Sequence, residues 1–172
     1  FSLDRSQSRS WLAGVAVDPS NSKRLLAGTI TRGDYGGLFE SKDGAKSWTQ
    51  IAGTGDGQYL LDSGLGHDAW PISLDKSDKF VLVGGMTGSA WLSEDRGLRF
   101  RPTQPGGPGV YRAYAMTPMA SGEVFLAESR GLWRSGDRGA TWGKEALLTG
   151  RCLSVDVDTG NRKQVYAVME GQ

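Results

Sequence analysis

The stretch SKDGAKSW at residues 41–48 recurs twice further along the chain, as SEDRGLRF at 93–100 and as SGDRGATW at 135–142. Each copy reads Ser-x-Asp-x-(Gly or Ala)-x-x-aromatic. The closing aromatic residues lie 52 and 42 residues apart, at positions 48, 100 and 142. Periods of roughly 40–50 residues are typical of β-propellers, in which each repeat forms one four-stranded sheet. The repeat therefore predicts an all-β chain made of propeller blades.

Short apolar segments precede each copy in the same order. The first, called A, is LAGVAVD, AWPISLD or YRAYAMT, at 12–18, 69–75 and 111–117. The second, B, is RLLAGT, FVLVGG or EVFLAE, at 24–29, 80–85 and 123–128, and the third, C, is GLF, SAW or GLW, at 37–39, 89–91 and 131–133. We interpret each repeat as strands A, B and C, the Asp-containing turn, and a strand D, so that WGKEALL at 142–148 is the third strand D. A fourth copy of A and B begins at 152–158 and 164–169.

This pattern predicts where one blade ends and the next begins. Residues 1–10 are interpreted as strand D of a preceding blade, residues 11–66, 67–109 and 110–150 as whole blades, and residues 151–172 as strands A and B of a further blade. The sum is about three and a half blades, whereas a closed propeller has at least four. We therefore expect the remaining blades of a larger propeller, or a second copy of the chain, to complete the ring.

Composition excludes several classes of function. The 172 residues include 20 basic and 19 acidic side chains, one Cys and one His. This charge balance argues against a nucleic-acid binder, which needs a basic surplus on one face. One Cys and one His cannot supply the four ligands of a structural zinc site, so we expect no metal and no cofactor. We also expect no membrane insertion, because no apolar run approaches the roughly 20 residues of a spanning helix.

The repeated octapeptide resembles the Asp-box, or BNR repeat, of sialidases, sortilin-type (Vps10) receptors, xyloglucan-active glycoside hydrolases and photosystem II assembly factors. Residues 15–48 are most similar to blades of the xyloglucan-active and sortilin-type proteins. The first box departs from the family pattern with Ala45 in place of Gly, and the second closes with Phe100 rather than Trp. The Phe-Arg-Ile-Pro signature of sialidases is absent, since residues 100–103 read FRPT, so sialidase activity is not expected. The resemblance implies an extracellular or periplasmic location.

The box residues are predicted to be structural rather than catalytic. An Asp side chain in a tight turn accepts hydrogen bonds from nearby backbone N–H groups, and Gly permits the backbone angles of such a turn. The residues assigned this role are Ser41, Asp43, Trp48, Ser93, Asp95, Gly97, Phe100, Ser135, Asp137, Gly139 and Trp142.

Candidate binding residues belong to the opposite face of the blades, where the B–C loops and D–A linkers meet. Loop 31–37 and linker 52–68 are the longest of these connections. Aromatic rings can stack on a sugar while charged groups fix its hydroxyls, so a glycan or peptide is the expected ligand. The competing interpretation is that the rings pack blades together and the charges are solvated. The candidates are Arg32, Asp34, Tyr35, His67, Asp68, Trp70, Tyr111, Arg112, Arg130 and Arg151.

These candidate residues are compatible with three functions. The first is a binding or scaffold module without catalysis. The second is part of a glycoside hydrolase, which needs two carboxyl groups about 6.5–9.5 Å apart for inversion. Asp34 and Asp68 are weak candidates for one of these groups, and His67 beside Asp68 is a weak candidate base. The third is a module that docks a partner through arginines such as Arg112, Arg130 and Arg151.

Overall fold

The structure is a computed structural model in which residues 9–32, 36–54, 71–75, 77, 79–85, 90–103, 113–117, 122–158 and 164–171 are described. Within these ranges, the side chains of residues 9–11, 30–32, 36 and 52–54 are left out. In this part of the chain there is no helix that is long and apolar enough to cross a membrane.

The described residues form fourteen strands in four separate antiparallel sheets. The first sheet contains β1 (Arg9–Asp18), β2 (Asn21–Arg32), β3 (Gly36–Ser41) and β4 (Thr49–Thr54). The second contains β5 (Ile72–Leu74), β6 (Val81–Gly84), β7 (Ala90–Ser93) and β8 (Arg101–Thr103). The third contains β9 (Ala113–Met116), β10 (Val124–Glu128), β11 (Gly131–Ser135) and β12 (Leu148–Thr149), and the fourth contains β13 (Cys152–Val157) and β14 (Val165–Met169).

Strand order follows chain order within each sheet, as in the blades of a propeller. Inner strands of the second and third sheets are the most buried, since every residue of β6, β7 and β10 is buried. A strand that is covered on both faces has a continuous apolar sequence, and this explains the runs VLVG and VFLAE. The chain is therefore a β-propeller portion of about three and a half blades, as the repeat predicted.

Neighbouring sheets pack through three apolar clusters, here called junctions. The first junction joins Leu26 and Leu38 of the first sheet to Trp91 of the second. The second junction joins Leu82 and Leu92 to Trp133 of the third sheet. The third junction is formed by Phe125, Ala127, Leu132, Cys152 and Val155. Each cluster contains residues of two adjacent sheets only. The apolar core of the described residues is therefore divided into three clusters, one between each pair of neighbouring sheets.

The three repeated turns, here called box turns, lie at the same end of the sheets as the connections between first and second strands. In each turn the fourth residue donates a backbone hydrogen bond to the start of the second strand. The bonds are Gly44 N–Lys23 O at 2.9 Å, Arg96 N–Lys79 O at 2.9 Å and Arg138 N–Gly122 O at 2.7 Å. The ends of the second strands and the starts of the third strands therefore lie at the other end of the sheets, here called the opposite face.

The prediction that WGKEALL forms the third strand D is wrong in its extent. Strand β12 contains only Leu148–Thr149, and residues 142–147 lie outside any strand. Two backbone bonds still tie this segment to β11, from Gly143 N to Arg134 O at 3.2 Å and from Leu147 N to Leu132 O at 2.7 Å. At the start of this segment the Trp142 indole N–H donates to Thr103 Oγ1 at 2.8 Å, a bond across to the second sheet.

The predicted blade boundaries stay predictions. Residues 1–8, which were interpreted as part of a preceding strand D, lie outside the described residues, and Arg9 and Ser10 lie in β1.

Candidate functional site

Two of the predicted ligand-binding residues have described side chains, Arg130 and Arg151. Arg32 is described only as backbone, at the end of β2. The remaining candidates lie outside the described residues: Asp34, Tyr35, His67, Asp68, Trp70, Tyr111 and Arg112. The geometry of the opposite face is therefore described here around Arg130 and Arg151.

Arg130 is held by a buried carboxylate at the end of β10. Glu128 is fully buried, and its Oε1 accepts hydrogen bonds from Arg130 Nε at 2.8 Å and from Trp133 Nε1 at 2.6 Å. The Arg130 guanidinium lies 5.0 Å from the centre of the Trp133 ring. Three side chains from one hairpin thus form a buried, hydrogen-bonded unit whose cation reaches the surface, because the Arg130 side chain is 25% exposed.

Sequence reasoning selected Arg130 but missed Glu128. The signal was present in the repeat, since the position of Glu128 is taken by Thr29 in the first repeat and by Gly85 in the second. A carboxylate at a buried strand end needs charged or polar partners. That requirement would have singled out Glu128.

Arg151 forms a second cluster on the same face. Its Nε donates to Tyr114 Oη at 2.9 Å, and its Nη1 donates to Glu170 Oε1 at 2.8 Å and Oε2 at 3.1 Å. Hydrogen bonding to Glu170 and then to Tyr114 raises the pKa of Arg151 above its ordinary value. The guanidinium also stacks over the Tyr114 ring, 5.0 Å from its centre. Tyr114 and Glu170 were not among the predicted binding residues, because neither belongs to the box pattern or to a long connection.

Backbone bonds connect the two clusters. Gly150 N donates to Arg130 O at 3.0 Å, and Glu170 N donates to Arg151 O at 2.8 Å. The linker at 150–151 is therefore fixed between the turn of the third sheet and the end of β14. Both arginines lie on one face of the propeller.

A cleft of about 510 Å³ lies beside this linker. It opens between the end of β12 and the end of β14. It is lined by Leu147, Leu148, Thr149, Gly150, Arg151, Met169, Glu170 and Gly171. Leu147 and Leu148 are large apolar residues that are exposed here.

The box-turn side chains are engaged within their own turns. In the second turn, Ser93 Oγ accepts from Gly97 N at 2.8 Å and donates to Asp95 Oδ1 at 2.9 Å. Asp95 Oδ1 also accepts from Arg99 N at 2.8 Å and Leu98 N at 3.2 Å. The other two turns repeat this arrangement around Asp43 and Asp137. These carboxylates serve turn formation, and all three side chains point into their own turns.

The same bonds shift the acidity of the box carboxylates. Burial acts to raise the pKa of Asp95, but hydrogen bonds from Arg99 N and Ser93 outweigh it and leave the pKa below its usual range. The pKa of Asp137 is lowered in the same way, against burial, by Thr141 and Ser135. In the first turn, the hydroxyl and backbone N–H of Ser47 hold the pKa of Asp43 well below its usual range. Each carboxylate therefore loses its proton more readily in the folded turn than in an unfolded chain.

Metal chemistry finds no support in these ranges. Among the residues that the structure describes, no group of three or more His, Cys, Asp and Glu side chains is placed to hold a metal ion.

Comparison with known proteins shows what this geometry is similar to. No protein-family model matches the chain. Over 103 residues it is 29% identical to a xyloglucanase of Hypocrea jecorina, a match that spans 58% of this chain and 12% of that protein.

Among the solved structures that share the fold are two of different kinds. The GH74 xyloglucanase from Xanthomonas campestris matches 89% of this chain and 26% of its own length, with a TM-score of 0.65 and 22% identity. YCF48 from Cyanidioschyzon merolae matches 90% of this chain and 51% of its own length, with a TM-score of 0.60 and 15% identity. The chain thus spans only part of each protein that it resembles, and its architecture is that of a β-propeller similar to those of the xyloglucanases.

Proposed function

We propose that the chain is a β-propeller binding module that recognises a glycan on its opposite face. The observation that carries the proposal is the half-exposed pair of Arg151 and Glu170, stacked on Tyr114. A guanidinium beside a carboxylate offers a hydrogen-bond donor next to an acceptor. Adjacent sugar hydroxyls, each both donor and acceptor, match such a pair.

Similarity to a xyloglucanase supports a polysaccharide as the ligand. A neutral sugar chain has no charge to attract, so recognition depends on hydrogen bonds from groups that are already held in place. Arg151 is held by Tyr114 and Glu170, and Arg130 by Glu128 and Trp133. Both guanidinium groups are therefore preorganised for hydroxyl recognition.

Affinity for xyloglucan tests the proposal directly, measured by calorimetry on the protein that contains this chain. We expect Arg151→Gln to weaken binding about tenfold, the equivalent of one hydrogen bond to a charged group. Arg134→Gln is the matched control, because Arg134 forms a comparable exposed ion pair with Glu123 at 2.6 Å on strand β11. Equal affinity in the Arg151 variant and the parent, or preference for a peptide over every glycan tried, would overturn the proposal.

A second candidate function is polysaccharide hydrolysis, favoured by the same match to a xyloglucanase. In this proposal the opposite face contributes one of the two carboxyl groups that such a reaction requires. Asp34 and Asp68 are the candidates, each to be replaced by Asn in the full-length protein. Abolished turnover with retained xyloglucan binding supports a catalytic role, and unchanged turnover in both variants ends the idea.

We also infer that the box turns are Asp-boxes of the BNR type with a structural role. Their carboxylates bind backbone N–H groups of their own turns, which supports this role. The test is Asp95→Asn, which should lower stability and leave xyloglucan affinity unchanged. A selective loss of affinity in a variant of normal stability would contradict the structural assignment.

A further inference from the structure

The two described arginines of the opposite face are each paired with a carboxylate of this chain. Arg130 Nε lies 2.8 Å from Glu128 Oε1, and Arg151 Nη1 lies 2.8 Å from Glu170 Oε1. Each guanidinium also lies 5.0 Å from the centre of an aromatic ring. The positive charge of each arginine is therefore balanced, in large part, by a carboxylate that is already in place.

The two carboxylates differ in how firmly they are held. Glu128 is fully buried, and Trp133 Nε1 donates at 2.6 Å to the same oxygen that binds Arg130. The Glu170 side chain, in contrast, is 49% exposed. A buried carboxylate that loses its cation carries a large desolvation cost. Glu128 is therefore fixed in place, and Arg130 cannot leave it without that cost.

The sequence repeat shows that the fold does not require this buried ion pair. Glu128 and Arg130 have uncharged residues at their positions in the first two repeats, namely Thr29 and Thr31 in the first and Gly85 and Thr87 in the second. The blades of the first and second repeats form without either charge. An ion pair that the blade does not need points to a role in what the surface binds.

An acidic sugar is disfavoured at Arg130. Its carboxylate would share the guanidinium with Glu128, and two like charges beside one cation repel each other strongly where little water separates them. Movement of Arg130 towards the ligand would instead leave Glu128 buried without a cation. A neutral sugar hydroxyl can accept a hydrogen bond from the guanidinium without either cost. The arrangement therefore favours hydroxyls over carboxylates.

We infer that Glu128, together with Glu170, makes the opposite face select neutral glycans and reject acidic ones. As a buried residue, Glu128 acts through Arg130, which it holds and neutralises. Unfavourable charge against a competing ligand is a common route to specificity. The inference rests on the proposed glycan-binding function and adds the class of glycan that the site accepts.

Affinity for two polysaccharides tests the inference, neutral xyloglucan and acidic polygalacturonate, measured by calorimetry on the protein that contains this chain. The parent protein is expected to bind xyloglucan more tightly than polygalacturonate. Glu128→Gln keeps the shape and an acceptor oxygen and removes the negative charge, so it is expected to raise polygalacturonate affinity about tenfold. The gain should shrink as NaCl is added, because it depends on a cation that is no longer neutralised.

A matched control separates this effect from a general change in charge. Glu123 directly precedes β10, at the end away from Glu128, and pairs with Arg134 at 2.6 Å. Glu123→Gln changes the net charge by the same amount and should leave polygalacturonate affinity unchanged. The double variant Glu128→Gln/Arg130→Gln should lose the gain. An unchanged polygalacturonate affinity in folded Glu128→Gln, or an equal gain in the control, would overturn the inference.

A second variant covers the case in which Glu128→Gln does not fold. Because Glu170 is half-exposed, Glu170→Gln leaves the core intact, and it should give a smaller gain in polygalacturonate affinity. No gain in this variant would also overturn the inference. The parent protein separates the two proposals. Lack of affinity for xyloglucan and every other neutral glycan would overturn the glycan-binding function, whereas equal affinity for xyloglucan and polygalacturonate would overturn only the selectivity.

Discussion

Trp91 and Trp133 occupy equivalent places in neighbouring sheets, yet among the described residues only the indole N–H of Trp133 has an acceptor. Trp91 pairs with Val83, and Trp133 pairs with Leu126. Trp133 Nε1 donates to buried Glu128, whereas the buried Nε1 of Trp91 has no acceptor among the residues that the structure describes. Where the third sheet has Glu128, the second has Gly85 and hence no side chain. The second sheet therefore has the equivalent ring without a carboxylate at the position equivalent to Glu128.

Because of this difference, replacing each of the two Trp residues with Phe should lower the free energy of unfolding by different amounts. Trp133→Phe removes a hydrogen bond to a buried carboxylate, and Trp91→Phe removes an N–H that has no partner among the residues described in the structure. We expect Trp133→Phe to lower the free energy of unfolding by about 1–3 kcal/mol more than Trp91→Phe. Denaturant unfolding followed by circular dichroism gives both values. Equal losses would show that the Glu128 bond contributes nothing net.

Two glycines have similar positive φ angles but different surroundings. Alanine at each position therefore distinguishes the cost of backbone strain from the cost of steric overlap. Gly44 has φ +75° with nothing near an added Cβ, whereas Gly139 has φ +83° and an added Cβ would lie 2.8 Å from two Leu82 methyl groups. Alanine at either position costs about 1 kcal/mol for the left-handed backbone. Gly139→Ala should cost about 1–3 kcal/mol more, because Leu82 must move. Thermal unfolding measures both, and Gly136→Ala is the control, since Gly136 has open space and no such φ.

The box carboxylates predict loss of stability in acid. Their pKa values are lower in the folded chain than the unfolded value of about 3.9, so the folded state gains stability above that pH. This contribution is lost as pH falls from about 4 towards the folded pKa values. Asp95→Asn removes one such group. It should be less stable at pH 7 and lose less stability between pH 7 and pH 3 than the parent, and parallel pH profiles would contradict the assignment.

An ion pair between the second and third sheets predicts that substitutions of its two residues have non-additive effects on the free energy of unfolding. Arg138 Nε of the third box turn lies 2.6 Å from Asp75 Oδ2 of the second sheet, and its guanidinium lies 4.6 Å from the centre of the Phe80 ring. In a double-mutant cycle, Arg138→Ala and Asp75→Ala should couple by about 1 kcal/mol. The control cycle pairs Arg138→Ala with Asp156→Ala on β13, where no coupling is expected. Additive losses for Arg138 and Asp75 would mean that the contact does not join the sheets.

The repeat alone was enough to predict the sheets, because strand periodicity and turn chemistry are local properties of the sequence. The run FVLVGG predicted β6, and the box pattern predicted fourth strands that begin at the closing aromatic, one residue before the observed starts of β4 and β8. The third strand D could not be placed in this way. Trp142 reaches across to Thr103, and a contact between sheets leaves no trace in local pattern.

The side-chain contacts of the opposite face were harder to predict than the strands, because many of them join residues that are distant in the sequence. Glu128 and Trp133 are five residues apart, but Arg151 and Tyr114 are 37 apart and Arg151 and Glu170 are 19 apart. Such pairs depend on how strands of different sheets align. The sequence could select the arginines as residue types on the expected face, but their partners required the fold.

Separate junctions between neighbouring sheets have a consequence for unfolding. Breaking the third junction detaches the β13–β14 hairpin and leaves the contacts around Leu82 and Leu38 untouched. Chains built in this way follow nearest-neighbour statistics, in which each unit melts with a probability set by its flanks. Unfolding of this chain should therefore begin at its outer units and proceed inward, so that a calorimetric enthalpy exceeds the van't Hoff value.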